Sequence, residues 1–161
     1  MGTRILTPED RPIVPAYVAL FNKVLDEIGQ FYNTATLQDA RNHYTAAYVS
    51  SHLTPDQERR FIGHFSRERL NGILIESFDK EENRTGINWV MAEEKGKGIG
   101  TSLIQDCIGR AKEEGKSHIA LAVSQTNNSA RKLYERLGFI SGGKYLNKHE
   151  LPMELMGYLF D

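Results

Sequence analysis

The run Ile87–Cys107, INWVMAEEKGKGIGTSLIQDC, changes character twice. It opens as a β-type segment, INWVMA. It then places glycines at every second position, Gly96, Gly98 and Gly100. It continues with Ile99, Leu103, Ile104, Cys107, Ile108 and Ala111 at helical spacing as far as Gly115. The first N–H groups of a helix have no partner inside it and carry partial positive charge. Glycines at that point let an anion touch the backbone. The spacing therefore predicts a cradle formed by the N–H groups of Lys97 to Thr101, with Lys95 and Lys97 adding positive charge. A glycine-rich surface turn is the alternative.

Working outward, Ile119–Val123, IALAV, reads as a fully buried strand. Asn127 to Leu137 reads as a compact helix with Ala130, Leu133, Tyr134 and Leu137 inward, stopped by Gly138. Strands are expected around Phe139–Tyr145 and Met153–Phe160. Upstream, Ile73–Phe78 and Ile87–Ala92 form a hairpin across the charged turn Asp79–Thr85. A short first strand at 3–7, TRILT, ends at Pro8, and Pro12 can open a helix over Ile13–Ile28. Gly29 stops it. Thr36 to about Ser51 reads as one helix, with Thr36 and Asp39 as a capping box. Thr54-Pro55-Asp56-Gln57 reads as the start of a third helix running to about Leu70 and burying Phe61, Ile62 and Phe65. The order is strand, helices, hairpin, helix, strand, helix, two strands. It predicts one mixed α/β domain over residues 1–161.

The composition, 40% hydrophobic and 25% charged, is that of an ordinary globular protein. A net charge of -1 gives no strong field toward nucleic acid or an anionic membrane. No apolar run reaches the roughly 20 residues that span a bilayer. MGTRILTPED lacks the apolar core of a secretory signal. A cytoplasmic location is the resulting expectation. Cys107 is the only cysteine, and the five histidines show no HExxH motif or close pairing, so no metal site is expected.

Two phosphate-binding motifs fit poorly. In a Walker A loop Ser or Thr follows Gly-Lys; here Gly98 follows Lys97. A dinucleotide fingerprint wants a third glycine where Thr101 stands, and an acidic residue at the next strand end, which reads SQTNN. The second half of the signal is Asn127–Phe139, NNSARKLYERLGF. Taken together with Lys95-Gly96-Lys97-Gly98-Ile99-Gly100, this stretch resembles the GCN5-related N-acetyltransferase (GNAT) superfamily. The loop is similar to (Gln/Arg)-x-x-Gly-x-(Gly/Ala). The later run is similar to Asn-x-x-Ala-x-x-Leu-Tyr-x-x-x-Gly-Phe through Asn127, Ala130, Leu133, Tyr134, Gly138 and Phe139. The similarity covers roughly Arg84 to Phe139.

The resemblance implies an acetyl-CoA N-acyltransferase-like α/β fold. It has a central, mostly antiparallel sheet, a splayed parallel strand pair and helices on both faces. It implies an N-acetyltransferase that moves the acetyl group of acetyl-CoA to a primary amine by direct attack. Backbone groups near Val90 would hold the pantetheine arm and acetyl group. The amides of Gly98, Ile99, Gly100 and Thr101 would take the pyrophosphate. Asn127 would bond the pantetheine or fix the splay, and Tyr134 would lie near the thioester sulfur as proton donor to the leaving thiolate.

The sequence also departs from the family. Lys95 stands for Gln or Arg and loses the guanidinium fork. Ala92 stands where a proline is common. Some members carry a glutamate at the start of the strand before the loop; here Arg84, Thr85, Gly86, Ile87 and Asn88 offer no acid. Glu76 on the preceding strand is then the candidate base. Its alternation with Leu74 and Phe78 equally allows a structural role, and a water-mediated proton path is the other option. The missing base leaves a non-catalytic acyl-CoA-binding domain as the alternative function. The acceptor region matches nothing specific. Phe31, Tyr32, Tyr44, Tyr48 and His52 could line a pocket or pack a core, and Asp26 with Glu27 could meet a cation or water. A homodimer is possible through Leu155–Phe160, LMGYLF, which equally fits a buried strand.

Overall fold

The computed structural model describes residues 2–54 and 58–161. Seven strands form one sheet in the order β1-β2-β3-β4-β5-β7-β6. They are β1 (Gly2–Ile5), β2 (Arg59–Ser66), β3 (Arg69–Asp79), β4 (Arg84–Ala92), β5 (His118–Ser124), β6 (Ile140–Leu146) and β7 (Pro152–Leu159). Every neighbouring pair is antiparallel except β4 and β5. The helices are α1 (Val14–Glu27), α2 (Thr34–His43), α3 (Ala46–Ser51), α4 (Ile99–Glu113) and α5 (Asn128–Arg136). Among the described residues no helix is long and apolar enough to cross a membrane.

Two apolar cores lie on opposite faces of the sheet. Tyr17, Leu20, Phe21, Val24 and Leu25 of α1 pack on Phe61, Ile73, Ile75 and Met91. Leu103, Ile104, Cys107 and Ala111 of α4 pack, with Tyr134, on Ile62, Leu74, Ile87, Ile119, Leu121 and Val123. Phe61 and Ile62 are adjacent in sequence and serve different cores, as period-two alternation requires.

The third predicted helix is corrected here. Residues 55–57 of its start signal lie outside the described residues, and Arg59–Ser66 and Arg69–Asp79 form a hairpin instead. Phe61, Ile62 and Phe65 mimic a helical stripe because β2 is covered on both faces. The hairpin turn is Arg67-Glu68, both left-handed at φ 53 and 66. Such a turn is normally marked by Asn or Gly, so nothing in the sequence announced it. The helix expected over Thr36–Ser51 is also split. Asn33, rather than Thr36, caps α2 by accepting from the Thr36 amide, and Thr45 starts α3 by accepting from the Tyr48 amide.

One glycine sets the position of α4. A Cβ on Gly72 of β3 would lie 2.5 Å from Ile99 Cγ2 and 3.1 Å from Leu103 Cδ1. Its absence lets the first turn of α4 settle directly on the sheet, which aims the helix N-terminus past the end of β4.

Candidate active site

β4 and β5 pair only from Arg84↔His118 to Ile87↔Leu121. Beyond that point β4 follows β3, with Val90 opposite Leu74, while β5 follows β7, with Ala122 opposite Leu155. The sheet forks at Asn88 and Ala122. The β5-facing backbone groups of 88–92 therefore have no strand partner among the described residues. Val90 is half-buried on that free arm.

The loop after β4 leads straight to the mouth of α4. Gly96 and Gly98 take φ of 75 and 77, and no atom stands within 4 Å of where either Cβ would be. Gly98 is the N-cap, without a side-chain cap. The first amide of the helix to close back is Ser102, 3.0 Å from the Gly98 carbonyl oxygen. Ile99, Gly100 and Thr101 keep open N–H donors at the positive end of the helix. Lys95 and Lys97 are exposed there and form no ion pair among the described residues. Open donors, Cβ-free space and two free cations are what a diphosphate requires.

Asn127 caps α5: its Oδ1 accepts from the Ala130 amide at 3.2 Å, and its own amide donates to the Ser124 carbonyl at 2.9 Å. These bonds tie α5 to the tip of the β5 arm. The Asn127 Nδ2 donor is left without a hydrogen bond among the described residues. Tyr134 is 8% exposed and packs 6.0 Å from Phe139, and its hydroxyl makes no hydrogen bond among the described residues. Burial, and then the neighbouring Tyr32, raises its pKa above the usual phenol value. Its proton therefore stays on at any pH near neutrality.

Tyr32, in the connection before α2, is a feature sequence reasoning left ambiguous. Its ring lies 5.6 Å from Trp89 on the free arm of β4, and burial pushes its pKa up to about 12. Trp89 itself was not singled out; its place two residues beyond the last β4–β5 pair was the available signal. Directly beyond Tyr32, the tip of the β6–β7 hairpin clasps α2. Asn33 Nδ2 donates to the His149 carbonyl at 2.9 Å, and Asn147 Nδ2 donates to Thr36 Oγ1 at 3.2 Å. Tyr44, Tyr48 and His52 are packing residues. Tyr44 is buried against Phe21 and Phe61, and Tyr48 stacks on His52 at 4.0 Å. Asp26 is an exposed partner of Arg41, on a solvated helix face.

Glu76 requires a correction. It is 0% exposed and points to α4, away from solvent. Arg60 Nε lies 2.8 Å from its Oε1, Arg110 Nη2 lies 3.1 Å from its Oε2, and the Cys107 thiol donates to Oε2 at 3.1 Å. Both oxygens are committed, so Glu76 is an ion-pair hub that no amine can reach. Burial, and then the Glu76 charge, pushes the Cys107 thiol up as well, leaving it inert. Glu154 is the other buried carboxylate among the described residues. It sits on β7, opposite Val123 and one strand removed from the fork. His118 lies at the paired end of β5, away from the fork. The free arms, Asn88–Ala92 and Ala122–Ser124, carry no carboxylate or imidazole.

Known proteins bear on this arrangement. The profile of the Acetyltransferase (GNAT) family matches residues 24–139. No curated protein sequence matches. Among solved structures, a probable acetyltransferase from Staphylococcus epidermidis superposes with a TM-score of 0.81 at 14% identity, covering 99% of both chains. An aminoglycoside 6'-acetyltransferase type Ii gives 0.77 at 15%, covering 99% of this chain and 97% of that one. The PaiA N-acetyltransferase of Thermoplasma acidophilum, solved in complex with coenzyme A, gives 0.73 at 17%, covering 99% and 100%. At these identities the likeness establishes the fold, and the profile match over most of the chain establishes the family. With its forked strand pair and open helix mouth, this chain belongs to the GNAT acetyltransferase family and is an acetyl-CoA-dependent acyltransferase.

Proposed function

We propose that the chain acts as one domain and transfers the acetyl group of acetyl-CoA to a primary amine by direct attack through a tetrahedral intermediate. The observation that carries this reading is a forked strand, β4, that runs on through the glycine loop into the open mouth of α4. The amides of Gly98, Ile99, Gly100 and Thr101 hold the pyrophosphate, with Gly96 supplying room and Lys95 and Lys97 supplying charge. The free backbone of β4 around Val90 takes the pantetheine arm as an added strand and donates to the developing oxyanion. Asn127 orients the arm from the other side of the fork. Tyr134, kept protonated by burial, donates to the departing thiolate.

An ammonium has no lone pair, so a proton must leave before attack. With Glu76 sealed and no acid or imidazole on the free arms, a chain of water leading out along the fork removes it. Tyr32 and Trp89 form an aromatic wall beside that route. The same lack of a side-chain base favours, as a second reading, an acyl-CoA-binding domain without turnover.

Calorimetric titration with acetyl-CoA tests the first step, on wild type and Gly98→Glu. Binding by wild type that the variant loses supports the cradle. Absence of binding to wild type overturns the assignment. A screen of amines for CoA release then separates the readings: release with any amine supports transfer, and binding without release across the screen supports the second.

A further inference from the structure

The mouth of α4 has two flanks. Gly100 faces α5, where a Cβ would lie 3.9 Å from Leu133 Cδ2. Ile99 faces the other way, onto Gly72 of β3, and His64 of β2 borders the same spot, its Cβ 3.0 Å from where a Gly72 Cβ would be. His64 is only 4% exposed. Its Nδ1 lies 2.6 Å from Asn71 Oδ1, and Asn71 Nδ2 donates to Ser66 Oγ at 2.9 Å. Because Asn71 turns its amide nitrogen to Ser66, it meets the ring with its oxygen, so the His64 proton sits on Nδ1. Nε2 of the uncharged ring is then a lone-pair acceptor. It has no hydrogen bond among the described residues, yet it is not sealed from solvent.

His64 lines a cavity of about 450 Å³, together with Ser66, Asn71, Ile99 and Ser102. Small-ligand sites usually measure about 300–1,000 Å³. Lys97, Gly98 and Ile99 belong both to this cavity and to the glycine cradle. Arg69, Glu93 and Glu94 complete the lining, and Arg69 is already paired with Glu93.

We propose that this cavity holds the adenine ring of acetyl-CoA, with the 6-amino group donating to His64 Nε2. The inference rests on the cradle's binding of the diphosphate. A phosphate does not suit the floor, because its oxygens would face a lone pair beside Glu93 and Glu94. A metal ion does not suit it, because the described residues hold no group of three His, Cys, Asp or Glu side chains placed to ligate one. A purine suits each wall. Its flat face lies on Ile99, its amino edge meets Nε2, and its ring nitrogens accept from the Ser66 and Ser102 hydroxyls. Connectivity agrees. In acetyl-CoA the diphosphate joins pantetheine on one side to adenosine on the other. With pantetheine directed into the fork, adenosine leaves the cradle on the opposite flank. It passes Lys97, which forms no ion pair among the described residues and is free to meet the 3′-phosphate.

Calorimetry with two thioesters tests this: acetyl-CoA and its 1,N6-etheno derivative, whose extra ring removes the 6-amino donor. Wild type should bind acetyl-CoA about tenfold more tightly than the etheno form. His64→Asn keeps a donor for Asn71 but loses Nε2, and should weaken acetyl-CoA about tenfold, bringing the two thioesters level. Ser102→Phe, at an exposed position, fills the cavity mouth and should weaken acetyl-CoA to a similar degree, whether or not His64→Asn folds. Equal binding of the two thioesters by wild type, or an affinity for acetyl-CoA that neither substitution lowers, overturns the adenine site and leaves the diphosphate cradle standing. So does spermidine binding that His64→Asn abolishes while acetyl-CoA binding is unaffected, which would make the cavity an amine site. Wild type that binds neither thioester overturns the cradle itself, and the adenine site with it.

Discussion

The fork and the Glu76 hub lie on adjacent strands, and Glu76 is in register with Ile87, the last β4 residue paired to β5. They treat polar groups in opposite ways. At the hub, both carboxylate oxygens are engaged by two guanidinium groups and a thiol. At the fork, three helix amides, the Asn127 Nδ2 and the Tyr134 hydroxyl have no protein partner among the described residues. Buried polar groups are expensive to leave unmade. The buried charges of the hub are spent on one another, whereas the five donors of the fork stay open. The more dramatic charge cluster is thus the less chemical one.

Substitutions can break or sharpen that contrast. Glu76→Gln leaves Arg60 and Arg110 facing an uncharged amide, which should cost about 3–5 kcal/mol. That lowers Tm by about 10 °C at this chain length, read by calorimetry. Activity per folded molecule, assayed in the cold, should stay within about twofold; a larger loss would return Glu76 to the chemistry. Gly98→Glu should do the reverse. It places a carboxylate at the cradle and a side chain at a left-handed φ, weakening acetyl-CoA about 100-fold or more. The fold should persist, because no atom crowds that position.

Tyr134→Phe is the finer probe of the fork. Loss of a proton donor should lower kcat about 10- to 100-fold and leave KM little changed. Because burial holds the Tyr134 proton well past its ordinary range, the wild-type to variant ratio should be flat from about pH 7 to about pH 10. A ratio that collapses above about pH 9 would show a donor of ordinary acidity instead. At the edge of the hub, Arg60 holds the Glu114 carboxyl below its ordinary 4.5 by hydrogen bonding. That contribution is complete above the ordinary value and fades as pH falls through the lower folded value. Glu114→Gln should lower Tm by only about 1–4 °C near neutrality and flatten the acid limb of the stability profile.

The elements around the fork were readable because each carries its own local signature. The glycines, the Asn127 cap and the short apolar run IALAV dictate loop, helix start and buried strand without help from distant residues. β2 was not readable because its evidence is non-local. With both faces covered, Phe61 and Ile62 show no alternation, and Arg67-Glu68 turns without Gly or Asn. Glu76 fails for a related reason. Alternation placed it with Leu74 and Phe78, and that is where it lies, but only the fold reveals that Arg60 and Arg110 converge on it. The region before α2 was opaque because its contacts are distant: Tyr32 meets Trp89 of β4, and the Asn33–His149 and Asn147–Thr36 contacts join residues more than a hundred positions apart.

The strand order β5-β7-β6 has a consequence for how the molecule is made. The last strand of the chain is an interior strand, inserted between two that are synthesised earlier. Until Leu159 has left the ribosome, β5 presents an open edge and β6 has nothing to pair with. A nascent chain that has emerged only as far as Phe139, where the family resemblance ends, already carries the glycine loop with β4 before it and α4 after it. It still lacks the strand that supports one side of the fork. Completion of the fork is therefore a late, non-local event, and the exposed edge of β5 is the point at which a stalled or truncated chain would aggregate.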